Sequence, residues 1–465
     1  MNKPVEQNVT KAIDSLQQRL TTYACGLEYA DIPAETVHAA KVRIIDTLGA
    51  LIGGFFSDPS RIARNLAAQI PDPSGATVFG TRMMTTPDMA AFVNATAARY
   101  VELNDTYHWP GSLKGHPSDV IMPIFSAAEH AGASGREFVT AVILGYEVYL
   151  RMSDATLMPG FDYTNLVCLG SAMAAGKLFG LSSEQMSHCI SMAVVPNVVL
   201  NQVRNGHLSM FKAVAAGQSG RAGLFAAMLA RAGMEGPHLP FEGKAGWCNH
   251  VSRMPIALDV MGGGTVAFKI ATTLIKPRAS CGTTLPSILA AEKVPLNRNI
   301  RDVRQVTVEV YNKAKEGNGT GEHQWNPTSR ETADHSIPYV VAAALMDGTI
   351  TPRSFDDSHL FNPELRALMN KIEVVENPEF TASYQKKPVH YQTRVTVTTN
   401  SGETHVGNLG NELSEKKSDA WIDEKFRGLS EDYLGAKRVA HILERLWRLD
   451  SIESVAEIPR LFVLA

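Results

Sequence analysis

The chain has 465 residues, 45% of them apolar and 20% charged, with a net charge of -3. These values sit near the globular average, which argues against a disordered chain and against a membrane protein, and the length leaves room for two or three folding units. The near-neutral balance gives no electrostatic reason to expect nucleic acid or an anionic membrane as a partner, although an anionic substrate needs only a few local cations.

From Thr10 to about Leu27 a polar-rich helical pattern opens the chain. Pro33 then suits the first turn of a second helix and Glu35 its positive end, with Val37, Ala40, Ile44, Leu48 and Leu51 forming one buried face. A helix is expected after Asp58 or Pro59, an isolated strand near Thr77, and a helix from Thr86-Pro87 to Tyr100. His116-Pro117 opens a helix to about His130, and Ser134 with Glu137 forms a capping box for the next one. Leu166–Gly180, Ser183–Val194 and Met210–Gly233 read as helices rich in small residues, which allows close helix-to-helix approach.

Near Phe268 the texture changes. Ala267–Ile275, Val303–Tyr311, Lys371–Val375 and Arg394–Thr399 are rich in β-branched residues, and Asn400-Ser401-Gly402 reads as a hairpin loop before Glu403–Val406. Thr284–Glu292, Asp334–Met346 and Pro363–Met369 read as helices between them, and Glu412–Leu449 returns to a helical pattern. The predicted fold is therefore mainly α: a large helical domain from residues 1–265 and 410–465, with an α+β domain over 266–409.

Four clusters could carry chemistry. The first is E-L-N-D-T-Y-H-W-P-G-S-L-K-G-H-P-S-D-V-I-M-P, where Glu102, Asp105, Thr106, His108, Lys114, His116 and Asp119 lie within one short loop and its flanks. A neutral His can serve as acid or base near pH 7, with Asp105 or Glu102 to orient it, although a capping loop would have the same composition. The second is Lys212 in an apolar helix start, where its charge either snorkels to solvent or faces an anion. The third is I-K-P-R-A-S-C-G-T-T, whose Lys276, Arg278 and Ser280 suit a carboxylate cradle. Cys281 in the same run has no histidine beside it in the sequence, which argues against a catalytic thiolate. The fourth is T-S-R-E-T-A-D-H-S-I-P-Y, where Tyr339 is either a phenolic acid at a site or a packed tyrosine.

The five cysteines are odd in number and contain no C-x-x-C pair, so neither a disulfide framework nor a structural zinc is expected. The first residues lack an apolar signal region and no run of about 18 apolar residues occurs, so a cytoplasmic protein is expected. No phosphate-binding, zincin or nucleophile-elbow motif is present, which leaves an inventory without an obvious cofactor.

These clusters, taken in order with G-A-S-G-R-E-F, G-L-F-A-A-M-L-A-R-A-G-M-E-G-P and F-E-G-K-A-G, make the chain resemble the MmgE/PrpD family along nearly its whole length. That family includes 2-methylcitrate dehydratases, cis-aconitate decarboxylases and an iminodisuccinate epimerase. The resemblance implies a helical domain with a smaller lid, a site in the cleft between them, a homodimer, and cofactor-free and metal-free chemistry on small polycarboxylates. It also implies that Thr106, His116, Lys212, Lys276 and Tyr339 line the site. Two departures stand out. Glu102 stands where the decarboxylases carry aspartate, and Phe161 or Asp162 stands nearest to their catalytic histidine.

The expected activity is dehydration of a hydroxy-tricarboxylate, 2-methylcitrate or citrate, with a decarboxylase, an isomerase or epimerase, and a non-catalytic tricarboxylate sensor as alternatives. Lys212, Lys276 and Arg278 would take the substrate's carboxylates, with Thr106 and Ser280 orienting it and Glu102 marking the substrate. His116 would be one of the acid/base pair and Tyr339 or Asp105 the other.

Overall fold

The computed structural model describes residues 13–108, 111–296, 299–386 and 389–464. Helices take up 57% of the residues and strands 10%, in agreement with a mainly helical chain. The expected first helix is described from Ser15 to Gly26, capped by Asp14, and its predicted start at Thr10 lies outside the described residues. No helix among the described residues is long and apolar enough to cross a membrane.

Local signals set most boundaries. Ser134 and Glu137 close the capping box, with the Ser134 N–H donating to Glu137 Oε2 at 2.7 Å, and start the helix Gly135–Ala155. Pro33 is the N-cap of Ala34–Gly54, one place before its expected position. The strand foreseen near Thr77 is β1, Pro71–Thr77, and it is paired with β2, Met84–Thr85, rather than isolated. A helix Pro87–Tyr100 then delivers the chain to Glu102.

The first buried apolar cluster joins these helices to Thr164–Leu178, Ser183–Val194 and Phe211–Arg231, and takes in Ile422, Phe426, Val439, Ile442 and Leu446 near the C-terminal end. Small residues let the Phe211–Arg231 helix pass close to two neighbours. A Cβ at Gly217 would lie 2.7 Å from the Phe92 main-chain oxygen, and one at Gly223 would strike that of Cys168. That proximity aims the start of this helix, with Lys212, at the end of Pro87–Tyr100.

The second cluster centres on a four-stranded sheet of β3 (Val303–Val310), β4 (Ile372–Glu376), β5 (Thr393–Thr399) and β6 (Thr404–Leu409). The order is β4-β3-β5-β6, with β4 parallel to β3 and the other pairs antiparallel. The parallel pair needs a long crossover, and the chain between β3 and β4 contains the helix Ile337–Asp347. On β5 Thr393, Val395, Val397 and Thr399 alternate inward, the period of a half-buried strand. Ala50, Val101 and Leu103 belong to this second cluster, so residues beside Glu102 pack where the two clusters meet.

One expected strand is absent. Ala267–Ile275 forms a short turn, Ile270–Thr272, and then a single bridge in which Leu274 and Thr106 exchange N–H···O bonds of 2.9 Å each way. Its extended residues pair with the Glu102–His116 segment instead of the sheet, which sets Lys276 beside Glu102.

Candidate active site

The helix Pro87–Tyr100 ends two residues before Glu102, whose φ of 56° is left-handed, a conformation that costs a non-glycine residue roughly 1–2 kcal/mol. The turn folds the carboxylate back into a buried ring of cations. Arg99 meets it at 2.5 and 3.1 Å, Lys276 at 2.6 Å and Lys212 at 3.2 Å. Burial alone would raise this carboxyl, but Arg99, Lys212 and Lys276 hold it well below the usual carboxylate range.

His116 stands against the same carboxylate, with Nε2 3.5 Å from Glu102 Oε1. Its Nδ1 lies 2.7 Å from the Asp105 main-chain oxygen, which can only accept, so Nδ1 carries the proton and Nε2 is the basic nitrogen. Burial first, then Arg99 and Lys276, push this imidazole well below the ordinary histidine range. It is a neutral base. The loop that carries it is closed by paired N–H···O bonds of 2.8 and 3.1 Å between Tyr107 and Gly115.

Lys212 bridges the two clusters. Its ammonium lies 2.7 and 3.0 Å from the two Asp334 oxygens, 3.2 Å from His335 Nδ1 and 3.2 Å from Glu102. Asp334 also holds His335 Nδ1. Burial alone would raise the Asp334 carboxyl, but Lys212 and His335 keep it below its ordinary value. Lys276 is 0% exposed and gives two of its donors to Glu102, one to Oε1 and one to the main-chain oxygen at 3.1 Å, which leaves a third for another acceptor. Burial lowers the pKa of this ammonium against the pull of Glu102.

The structure therefore brings Glu102, His116, Lys212 and Lys276 together, and it assigns the other candidates to different work. The Asp105 carboxylate accepts from the Ser118 N–H at 2.9 Å and the Tyr146 hydroxyl at 3.1 Å, so its part is to fix the loop and, through its carbonyl, His116. The Thr106 hydroxyl donates to the Gly115 carbonyl at 3.2 Å, on a wall shared with His108 beside Gly282. Ser280 donates to the Asp334 carbonyl at 2.8 Å and lies 2.6 Å from the Thr284 hydroxyl. Arg278 makes a two-pronged pair with Glu292, at 2.7 and 2.8 Å, and does not join the ring. Tyr339 is buried with its hydroxyl donating to the Ser354 carbonyl at 2.7 Å and its ring stacked on Phe355, so it is a packed tyrosine here.

Four members escaped the sequence reading of the site. Arg99 looked like one more residue of a helix, and its signal was a lone charge in the run Ala97-Ala98-Arg99. Asp334 and His335 were visible as part of the fourth cluster, where Tyr339 drew the attention. Cys281 reaches the fourth cluster through its main chain, its N–H donating to the Asp334 carbonyl at 3.0 Å, while its Sγ lies 3.2 Å from the Thr283 hydroxyl. Asp162, beside Phe161, is buried and paired with Arg204 at 2.7 Å. Among the described residues no group of three His, Cys, Asp or Glu side chains is arranged to hold a metal ion.

Comparison with known proteins agrees with the resemblance seen in the motifs. Cis-aconitate decarboxylase of Homo sapiens is 26% identical over 475 residues, covering 97% of this chain and 95% of the relative. The 2-methylcitrate dehydratase of Escherichia coli K12 is 26% identical over 400 residues, 78% of this chain and 73% of the relative. The mitochondrial 2-methylcitrate dehydratase of Yarrowia lipolytica is 25% identical, covering 84% and 78%. With the MmgE/PrpD N-terminal domain matching residues 18–257 and the MmgE/PrpD C-terminal domain matching residues 279–449, the chain belongs to the MmgE/PrpD family.

Proposed function

We propose that this chain is a cofactor-independent hydro-lyase that removes water from a small hydroxy-tricarboxylate, 2-methylcitrate or citrate. The observation that carries this reading is His116 Nε2 standing 3.5 Å from a carboxylate that Lys276 and Lys212 also hold, with Nδ1 committed to the Asp105 carbonyl. A proton next to a carboxylate is weakly acidic, because negative charge builds on that carboxylate as the proton leaves. Ammonium groups fixed beside the base favour that charge where it develops. In this reading the free donor of Lys276 takes a substrate carboxylate and His116 takes the neighbouring proton. The C–H electron pair becomes the alkene and the hydroxyl departs with a proton from a second group.

The dehydratases among the relatives support this reaction class. A homodimer belongs to the same reading. Incubating the purified protein with citrate and 2-methylcitrate and following products by mass should show loss of one water with appearance of alkene absorbance. If both substrates remain unchanged, the reading fails.

A second reading is decarboxylation of cis-aconitate, favoured by the human decarboxylase matching 97% of this chain where the bacterial dehydratase matches 78%. Against it, Asp162 with its Arg204 partner stands close to where the decarboxylases carry a catalytic histidine. Release of carbon dioxide from cis-aconitate separates the two. Tight binding of tricarboxylates without any turnover would instead favour a sensor.

A further inference from the structure

We propose that Lys114 and His108, with the Tyr384 hydroxyl, form a second carboxylate pocket beside His116, which takes the substrate carboxylate that lies away from the reacting carbon. The pocket rests on the dehydration reading above and supplies what holds the far end of the substrate.

The backbone places it. Tyr107 and Gly115 exchange both N–H···O bonds, so the antiparallel register sets Thr106 opposite His116 and His108 opposite Lys114. Side chains alternate along each strand, so these four leave on one face and Tyr107 and Gly115 belong to the other. The surroundings agree. A Cβ on Gly115 would strike the Tyr149 hydroxyl and the Tyr163 ring, both in the helical cluster, whereas one on Gly282 would lie 3.4 Å from His108 Nε2 and 3.5 Å from Thr106 Oγ1. Facing side chains stand about 4.5–5.5 Å apart across such a ribbon, and successive pairs on one face about 7 Å apart along it. Lys114 is thus one pair farther along the face that carries the base. That spacing is on the scale of the separation between end carboxylates of a tricarboxylate.

What converges there is a set of donors without acceptors. Among the described residues the Lys114 ammonium enters no ion pair or hydrogen bond, and it lies 5.6 Å from the centre of the Tyr384 ring. Neither ring nitrogen of His108 is hydrogen-bonded among the same residues. Tyr384 and Tyr311 are 5% and 0% exposed, yet both hydroxyls are buried without a partner. Tyr311 follows β3, Tyr384 closes the short helix Pro378–Tyr384, and Tyr391 precedes β5. Their rings pack together, Tyr311 on Tyr384 at 4.2 Å, and the Tyr391 hydroxyl ties them to the loop by donating to the His108 carbonyl at 2.7 Å.

Buried polar groups are nearly always satisfied, so unpaired hydroxyls beside an unpaired ammonium point to a partner that arrives from outside. The donors say which. Burial first, then Lys114 and Lys276, push His108 well below the ordinary histidine range, so it is a neutral imidazole with one N–H to give. Burial first, then Tyr384 and Tyr391, push the Tyr311 phenol well above its ordinary value, so it keeps its proton. An ammonium, an imidazole N–H and phenolic O–H groups together suit a carboxylate. Lys276 at one carboxylate and Lys114 at another fix the substrate at two points, which orients its C–H bond toward His116 Nε2. No bond is made or broken in the pocket, so Lys114 is a binding residue outside the acid/base pair.

The test uses the full chain and propane-1,2,3-tricarboxylate, which has no hydroxyl to lose and binds without turnover. Titration calorimetry should show binding to the wild type and an affinity at least about 10-fold weaker in Lys114→Met, which keeps the apolar stem and removes the charge. Tyr384→Phe should weaken the same affinity by at least about 3-fold while its melting temperature stays at or above that of the wild type, because the deleted hydroxyl has no partner to lose. Absence of binding in the wild type, a smaller loss in either variant, or a lowered melt in Tyr384→Phe overturns the pocket. In turnover, Lys114→Met should raise KM by at least about 10-fold and leave kcat within about 3-fold, the pattern of lost binding rather than lost chemistry. An unmoved KM overturns the role. If circular dichroism shows that Lys114→Met does not fold, Lys114→Gln takes its place in both measurements. A wild type inactive on citrate and 2-methylcitrate overturns the dehydration reading, while the calorimetry still decides whether the pocket exists.

Discussion

The Lys276 ammonium meets Glu102 twice, 2.6 Å from Oε1 and 3.1 Å from the main-chain oxygen, and neither residue is more than 1% exposed. Lys276→Ala removes a partner, but Arg99 and Lys212 still hold the carboxylate. The stability loss should therefore fall below the about 3–5 kcal/mol of a stranded buried charge. Turnover should fall by about 100-fold or more, because the variant lacks the cation that faces the developing charge. Thermal melting and product formation check both, and near-normal turnover would remove Lys276 from the site.

In the proposed reaction His116 is the base, and its pKa is depressed, so its active form is the neutral one, present at every pH above that depressed value. Activity is lost only as pH falls through it. The kcat/KM profile should show no limb at the ordinary imidazole value of about 6.5. A limb there that vanishes in His116→Gln would contradict the geometry.

Asp119 is a buried carboxyl beside Arg99, Asn104 and Tyr163, and burial pushes it up to about 6 against the pull of Arg99 and Arg204. A raised carboxyl contributes stability below its ordinary value near 3.8 and loses that contribution as pH rises through 6. Asp119→Asn has no such dependence. The melting temperature of the variant minus that of the wild type should increase from pH 4 to pH 6, as scanning calorimetry in that window would show; a constant difference would mean that the carboxyl is not raised.

Tyr339→Phe deletes the donor to the buried Ser354 carbonyl. It should cost about 1–2 kcal/mol of stability. Activity should stay within about 3-fold of wild type, far short of the loss of an acid or base. A collapse of kcat with an unchanged melt would return the phenol to the chemistry.

The parts of this molecule written in local order were legible in the sequence. Ser134 and Glu137 announce a helix start, β5 announces itself by alternation, and the density of polar groups from Glu102 to His116 marks one wall of the cluster. What local order does not carry is who faces whom. Lys276 and Arg278 are near neighbours in the sequence and look equally suited to a substrate, yet one turns to Glu102 and the other to Glu292. Cys281 and Asp334 are separated by β3 and several short helices, so nothing in either neighbourhood declares that the Cys281 N–H meets the Asp334 carbonyl. The β-branched run at Ala267–Ile275 has strand propensity but a single bridging partner, Thr106, and propensity without partners makes no sheet.

Asp334 is gripped at both ends, its carboxylate by Lys212 and its carbonyl by Ser280 and Cys281. The first grip crosses between the two apolar clusters and the second stays within one. On the proposed reading, a tricarboxylate that displaced Asp334 from Lys212 would leave that ammonium paired, because a buried ammonium yields one anion readily only when another takes its place. The substrate's own carboxylate is that replacement. Admission to the site is then an exchange of one ion pair for another, in which no buried charge is left without a partner.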